Sequence, residues 1–191
     1  MTKTQVAIVG AGPAGLTLAQ LLHVAGIDSV VLENRSRDYV EARIRAGVLE
    51  HDVAELYEQA GVGGRMRREG LVHTGVELQS GTERHRIAFD ELVGKTIVVY
   101  GQTEVVKDLI EARLESGRPL HFEVSDVSLH HLDSERPRVR SWATPSTAKI
   151  LEFQAVGSAP SSAGSSRAGT TANAEASCGP RLRYAMNESV V

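Results

Sequence analysis

The stretch Gly10-Ala-Gly-Pro-Ala-Gly15 constrains this chain more than any other part of it. It follows "TQVAIV", residues Thr4 to Val9, a short β-rich apolar run of the kind that forms a buried parallel strand. Beyond it, Ala14, Leu18, Leu21, Leu22 and Ala25 recur on one helical face, and Gly26 stands where a cap would end that helix. "SVVL", Ser29 to Leu32, then reads as a second strand with Glu33 at its end. Strand, glycine turn, helix and strand is the order of a dinucleotide-binding unit. Gly10 makes the tight turn, Gly12 lets the backbone approach a pyrophosphate, and Gly15 lets helix and strand pack closely. The helix start offers unpaired amides to the phosphate. The cofactor-binding set read here is Gly10, Gly12, Ala14 and Gly15, with Glu33 placed to accept hydrogen bonds from ribose hydroxyls. A glycine-rich turn alone binds nothing, so the weight rests on its flanking elements. The glycines do not choose between NAD and FAD, because both carry an adenosine diphosphate half.

The connection that follows, "NRSRDYVEARIRAGV" from Asn34 to Val48, is basic and ends in Ala46-Gly47. If it is extended, Arg43 and Arg45 project to one side, where their guanidiniums suit a pyrophosphate; the competing reading is a solvated basic loop. Leu49, Val53, Leu56, Tyr57 and Ala60 then share a helical face, with Gly61 as the cap. The middle of the chain reads as strands: Val72 to Gln79, a turn at 80–82, Arg84 to Phe89, Thr96 to Tyr100, Leu120 to Val127, and Arg136 to Trp142. Between them, Val106, Leu109, Ile110 and Arg113-Leu114 predict an amphipathic helix opened by Gln102.

"QVAIVGAGPAGLTLAQLLHVAGID" with "VVLE", then "DYVEARIRAGVLE", "EGLVHTGVEL" and "GKTIVVYGQTEVVKDLIEAR", together resemble the flavin-dependent aromatic hydroxylases, from Thr2 to about Val139. The resemblance implies an α/β fold: the N-terminal part of a Rossmann-like FAD-binding domain, with an inserted β-hairpin or sheet excursion. It implies FAD as cofactor, NADPH or NADH as reductant, a small phenolic acid as substrate hydroxylated ortho to its oxygen, and a homodimeric complete enzyme. By the same resemblance Glu33 holds the adenosine ribose, while Arg43, Ile44, Arg45, Ala46, Gly47 and Val48 line the pyrophosphate and approach the flavin. Gln102 contacts the cofactor from its helix start. His73 matches a histidine that relays the phenolic proton, a task suited to a group titrating near neutral pH. On spacing alone, His73 is a surface histidine and Gln102 the polar first residue of a packing helix. Asn34 departs from the arginine often found in the family's nicotinamide-selecting segment, which leaves Arg35 or Arg37 to meet a 2′-phosphate.

Charge excludes other classes. A net charge of -3 with interspersed signs gives no field for nucleic acid or an anionic membrane. No apolar run approaches the roughly 20 residues of a bilayer span, and Met1-Thr-Lys-Thr leads into a strand rather than a signal peptide. The seven histidines show no metal-ligand spacing, and the single cysteine, Cys178, fits a reducing cytoplasm.

After the strand at Arg136 to Trp142 the family pattern stops. The Asp-Gly and Gly-Asp motifs of a complete hydroxylase are missing, and Asp133 is the last aspartate. Of the 26 residues from Ala155 to Pro180, 21 are Ala, Gly, Ser, Thr or Pro, too few large apolar groups to offset ordering entropy. The expectation is an incomplete FAD-binding domain over 1–142 and a disordered low-complexity tail over 143–191, entered through a reading-frame shift between about Arg138 and Phe153. Such a chain, the FAD-binding portion of a hydroxylase, is expected not to complete the reaction. The alternatives are a non-catalytic dinucleotide-binding module or a truncated product without function.

Overall fold

A computed structural model describes residues 2–44, 46–134, 137–143 and 150–155, all within one unit spanning Met1–Ser158. Its centre is a parallel sheet of β2 (Val6–Val9), β3 (Ser29–Leu32) and β9 (Leu120–His121), with β3 in the middle. β3 is apolar beyond its first residue because both of its faces are covered. Val31 joins the larger core with Ile8, Leu16, Tyr57, Leu109 and Ile110. Val30 and Leu32 point the other way, onto Val124. The first cluster is supplied by α1 (Pro13–Val24) and α6 (Gln102–Glu115), which pack against each other.

The second layer is a four-stranded sheet ordered β1 (Thr2–Thr4), β12 (Ile150–Ala155), β11 (Arg138–Ala143) and β10 (Val124–His130). β12 runs parallel to β1 and antiparallel to β11. This strand lies past residue 142, where the low-complexity reading begins, in the stretch "ILEFQA". The disordered tail expected over 143–191 lies outside the described residues at 144–149 and 156–191.

A third sheet, β4 (Val48–Glu50), β8 (Ile97–Val99) and β5 (Leu71–His73), is antiparallel. It is accompanied by α3 (His51–Gln59), α4 (Gly64–Glu69) and a hairpin of β6 (Gly75–Ser80) and β7 (Glu83–Ala88), followed by α5 (Phe89–Val93). The dinucleotide-binding unit and the inserted hairpin stand where the sequence put them, and the fold is a Rossmann-like α/β arrangement.

Three sequence expectations are corrected. The connection at 34–48 is not extended throughout: it holds α2 (Arg37–Ala42), because Ser36 Oγ caps the helix by accepting from Tyr39 N at 3.3 Å, Asp38 sits in the first turn, and Arg37 pairs with Glu41 at 2.5 Å. The strand expected over Val72 to Gln79 is divided at Thr74 between two sheets. The strand expected over Leu120 to Val127 is likewise divided, at residues 122–123, where Glu123 takes φ 57°. Among the described residues no helix is long and apolar enough to cross a membrane, and no group of three or more His, Cys, Asp or Glu is placed to hold a metal ion.

Candidate functional site

β2 delivers the chain to Gly10, whose φ of 106° is open to glycine and whose N–H donates to Leu32 O at 2.7 Å. α1 starts behind Gly12 with no side-chain cap, no acidic residue in its first turn, and proline at its start. The helix end therefore presents amides and a positive dipole with no protein carboxylate from its own first turn competing for them. A Cβ on Gly15 would fall inside the Gly10 carbonyl oxygen and 3.2 Å from Ile8 Cγ2, so only glycine lets α1 sit this close to β2.

Glu33 is fixed to this turn. Its Oε2 accepts from Ala11 N at 2.7 Å and its Oε1 from Arg35 N at 2.9 Å. Gly10, Glu33 and Asn34 form one wall of a cleft of about 540 Å³; residues 123–127 form the other. The walls are tied by Val124 N donating to Glu33 O at 2.8 Å and Glu123 N donating to Arg35 O at 3.0 Å. In the second wall Glu123 and Asp126 have φ of 57° and 51°, beside a register shift between Ser125 and Ser128. Such left-handed non-glycine residues cost about 1–3 kcal/mol each and cluster at ligand sites. Glu33, Glu123 and Asp126 make the cleft a place for hydroxyl and amino donors, while the anion-binding feature lies next door at the α1 terminus. That division suits an adenosine joined to a pyrophosphate, so the residues fit FAD. Sequence reasoning missed residues 123–127, since no glycine marks either left-handed position.

The second set of expected cofactor residues meets away from the cleft. Tyr100 N donates to Gly47 O at 2.8 Å and Gln102 N to Ala46 O at 3.3 Å. A Cβ on Gly47 would lie 3.3 Å from Gly101 Cα, so the two backbones touch. Gln102 and residues 46–48 are thus brought together. Arg43 is the C-cap of α2, Ile44 is 89% exposed and Val48 53%, and Arg45 lies outside the described residues. The two sets share one core, in which Ala11 and Leu16 pack with Leu49, Tyr100 and Val105.

His73 ends β5 and pairs with Ile97, which pairs in turn with Glu50. The next rung on the same face is Leu71, Val99 and Val48. His73 and Val48 therefore lie on one face of one sheet, and His73 and Leu71 are exposed. His73 is not among the residues lining the Glu33 cleft.

Comparison with known proteins agrees with this geometry. The profile of the family described as "FAD binding domain" matches residues 3–151. The chain is 50% identical over 129 residues to p-hydroxybenzoate hydroxylase of Acinetobacter baylyi, covering 67% of this chain and 32% of that protein. It is 40% identical over 67 residues to 3-(3-hydroxy-phenyl)propionate/3-hydroxycinnamic acid hydroxylase 2 of Burkholderia vietnamiensis, covering 35% of this chain and 12% of that one. The fold superimposes on p-nitrophenol 4-monooxygenase PnpA from Pseudomonas putida with a TM-score of 0.67 at 20% identity, over 81% of this chain and 40% of the other. The chain spans about a third of the length of its Acinetobacter relative. With its glycine turn, Glu33 and family match in agreement, the chain belongs to the FAD-binding domain family and is homologous to p-hydroxybenzoate hydroxylase and related flavin monooxygenases.

Proposed function

We propose that this chain is the FAD-binding part of an NAD(P)H-dependent hydroxylase that acts on 4-hydroxybenzoate or a closely related phenolic acid. The observation that carries the cofactor assignment is Glu33 locked to Ala11 of the glycine turn at the mouth of the cleft. The substrate class rests on the 50% identity to p-hydroxybenzoate hydroxylase. Bound FAD supplies two-electron redox chemistry and the activation of dioxygen.

The chain's own residues bind and orient. Gly10, Gly12, Ala14 and Gly15 hold the pyrophosphate at the α1 terminus, and Glu33 accepts from the ribose. Arg43 to Val48 and Gln102 flank the cofactor further along. His73 takes up and passes on the phenolic proton, which leaves the ring oxygen negative and the ortho carbon electron-rich. Arg37 is engaged by Glu41, and Arg35 stands 5.2 Å over the Tyr39 ring, so Arg35 is the better placed of the two for the 2′-phosphate of NADPH. A homodimeric, cytoplasmic enzyme without nucleic-acid partners completes the reading.

The test is a chimera in which the matched 129-residue segment replaces its counterpart in the Acinetobacter enzyme. Oxidation of NADPH that depends on 4-hydroxybenzoate and yields the ortho-hydroxylated product supports the proposal. A chimera that binds FAD but gives no product favours a second reading, a flavin-binding module.

A further inference from the structure

Behind the contact between residues 46–48 and 100–102 lies a charged cluster that none of the roles above uses. Arg65 reaches from α4 to the first two turns of α6. One terminal nitrogen lies 2.6 Å from Glu104 Oε2 and donates to the Glu104 carbonyl at 3.1 Å. Its Nε stands 2.8 Å from Asp108 Oδ1, an ion-pair contact rather than an aligned hydrogen bond. The guanidinium also lies 5.7 Å from the centre of the Tyr100 ring, and Tyr100 OH donates to Asp108 Oδ2 at 2.7 Å. Lys107 closes the group on Glu104 at 2.8 Å.

Burial pushes the Asp108 carboxyl up, against the pull of Tyr100 and Arg65. Burial, then Asp108, pushes the Tyr100 phenol up, so near neutral pH it stays protonated and donates. Burial opposes the charge on Arg65, yet Asp108 and Glu104 outweigh it and the net direction is upward.

This cluster is not what holds α6 in the fold. Val105, Val106, Leu109 and Ile110 are buried on the helix's inner face, whereas the Arg65 side chain is 30% exposed, a setting where ion pairs add little stability. Apolar packing leaves the first turns of α6 some freedom to shift, because the Arg113 contacts to Ser29 and Pro119 hold only its far end. A forked contact to two successive turns removes that freedom. Tyr100, itself bonded to Gly47, transmits the position to the start of α6 and to the 46–48 backbone together.

We propose that Arg65, acting through Glu104, Asp108 and Tyr100, is a positioning residue that fixes Gln102 and residues 46–48 for the cofactor. This rests on the FAD reading given above. The test is a set of FAD titrations of the full 191-residue chain, followed by flavin fluorescence, with Arg65→Gln, Tyr100→Phe, Gln102→Ala and the Arg65→Gln/Gln102→Ala double variant. The expected result is that Arg65→Gln and Tyr100→Phe each weaken FAD binding about threefold to tenfold, and that Arg65→Gln costs less once Gln102 is alanine, the remainder passing through residues 46–48. Arg65→Lys, which keeps the charge but not the fork, is expected to recover only part of the loss.

Unchanged binding in Arg65→Gln, or an equal loss with and without Gln102, overturns the positioning role, because a purely structural effect is additive. If Arg65→Gln loses its cooperative melt, Tyr100→Phe, which retains the ring, carries the same cycle. A wild-type chain that fails to bind FAD overturns the cofactor reading itself and this role with it, an outcome distinct from variants failing against a wild type that binds.

Discussion

A methyl group at position 15 has nowhere to go, since it would meet the Gly10 carbonyl and Ile8. Gly15→Ala must push α1 off β2, and is expected to lower stability by about 1–3 kcal/mol and to disturb the amides facing the pyrophosphate. A shifted urea midpoint together with weakened FAD binding checks both halves. Glu33→Gln keeps the shape but puts an amide NH2 where the carboxylate now accepts from either Ala11 N or Arg35 N. FAD binding is expected to weaken about tenfold, or roughly 1.4 kcal/mol, and equal affinities by titration would contradict that. Gly15 and Glu33 were legible because their signals are local: glycine spacing, a strand and a terminal acid place them together within one supersecondary unit. Glu123 and Asp126 were not legible, since the first lies in the break between β9 and β10 and the second in a register shift against β11, and no neighbouring residue type announces either.

Elements differ in how openly the sequence declares them. α6 was visible from its apolar stripe, but its far end depends on Arg113, a residue with ordinary helical spacing that is only 2% exposed. Its guanidinium donates to Ser29 Oγ at 3.2 Å, Ser29 O at 2.5 Å and Pro119 O at 3.1 Å. It thereby ties α6 to β3 and to the entry of β9. Burial, with a contribution from Arg118, pulls its pKa down to about 10, so it stays charged at neutral pH. Arg113→Met is expected to leave those oxygens without their donor and cost about 1–3 kcal/mol, read as a shift in urea midpoint with the m-value unchanged.

On β9, burial lowers the His121 pKa. The unfolded chain, with its histidine near about 6.5, then takes up the proton first as pH falls. Stability contributed by neutral His121 is therefore present above that value and lost as pH drops through the lower, folded pKa. His121→Leu is expected to flatten the fall in urea midpoint between pH 7.5 and 5.5; an unchanged slope would contradict this. α2 shows the opposite failure of legibility: Ser36, Asp38 and the Arg37–Glu41 spacing all spelled a helix start, but the arginines drew attention to two other readings, an extended phosphate clamp and a solvated basic loop. The division at Thr74 was hidden because Val72, Thr74 and Val76 alternate without a break.

For the whole molecule, two structural layers meet on β3, and each supplies one wall of the cleft. The helical layer brings the α1 terminus and Glu33; the four-stranded sheet brings residues 123–127. Cofactor binding is therefore a property of the assembled fold, so FAD is expected to stabilise the chain as a unit. The most direct measurement is a titration of the 191-residue chain with FAD, following flavin fluorescence and the unfolding midpoint together. Saturable binding with a stabilisation of about 2.7 kcal/mol at a concentration 100 times the dissociation constant is expected. A cooperatively folded chain that leaves flavin fluorescence and its own midpoint unmoved would contradict the assignment of this fold as an FAD site.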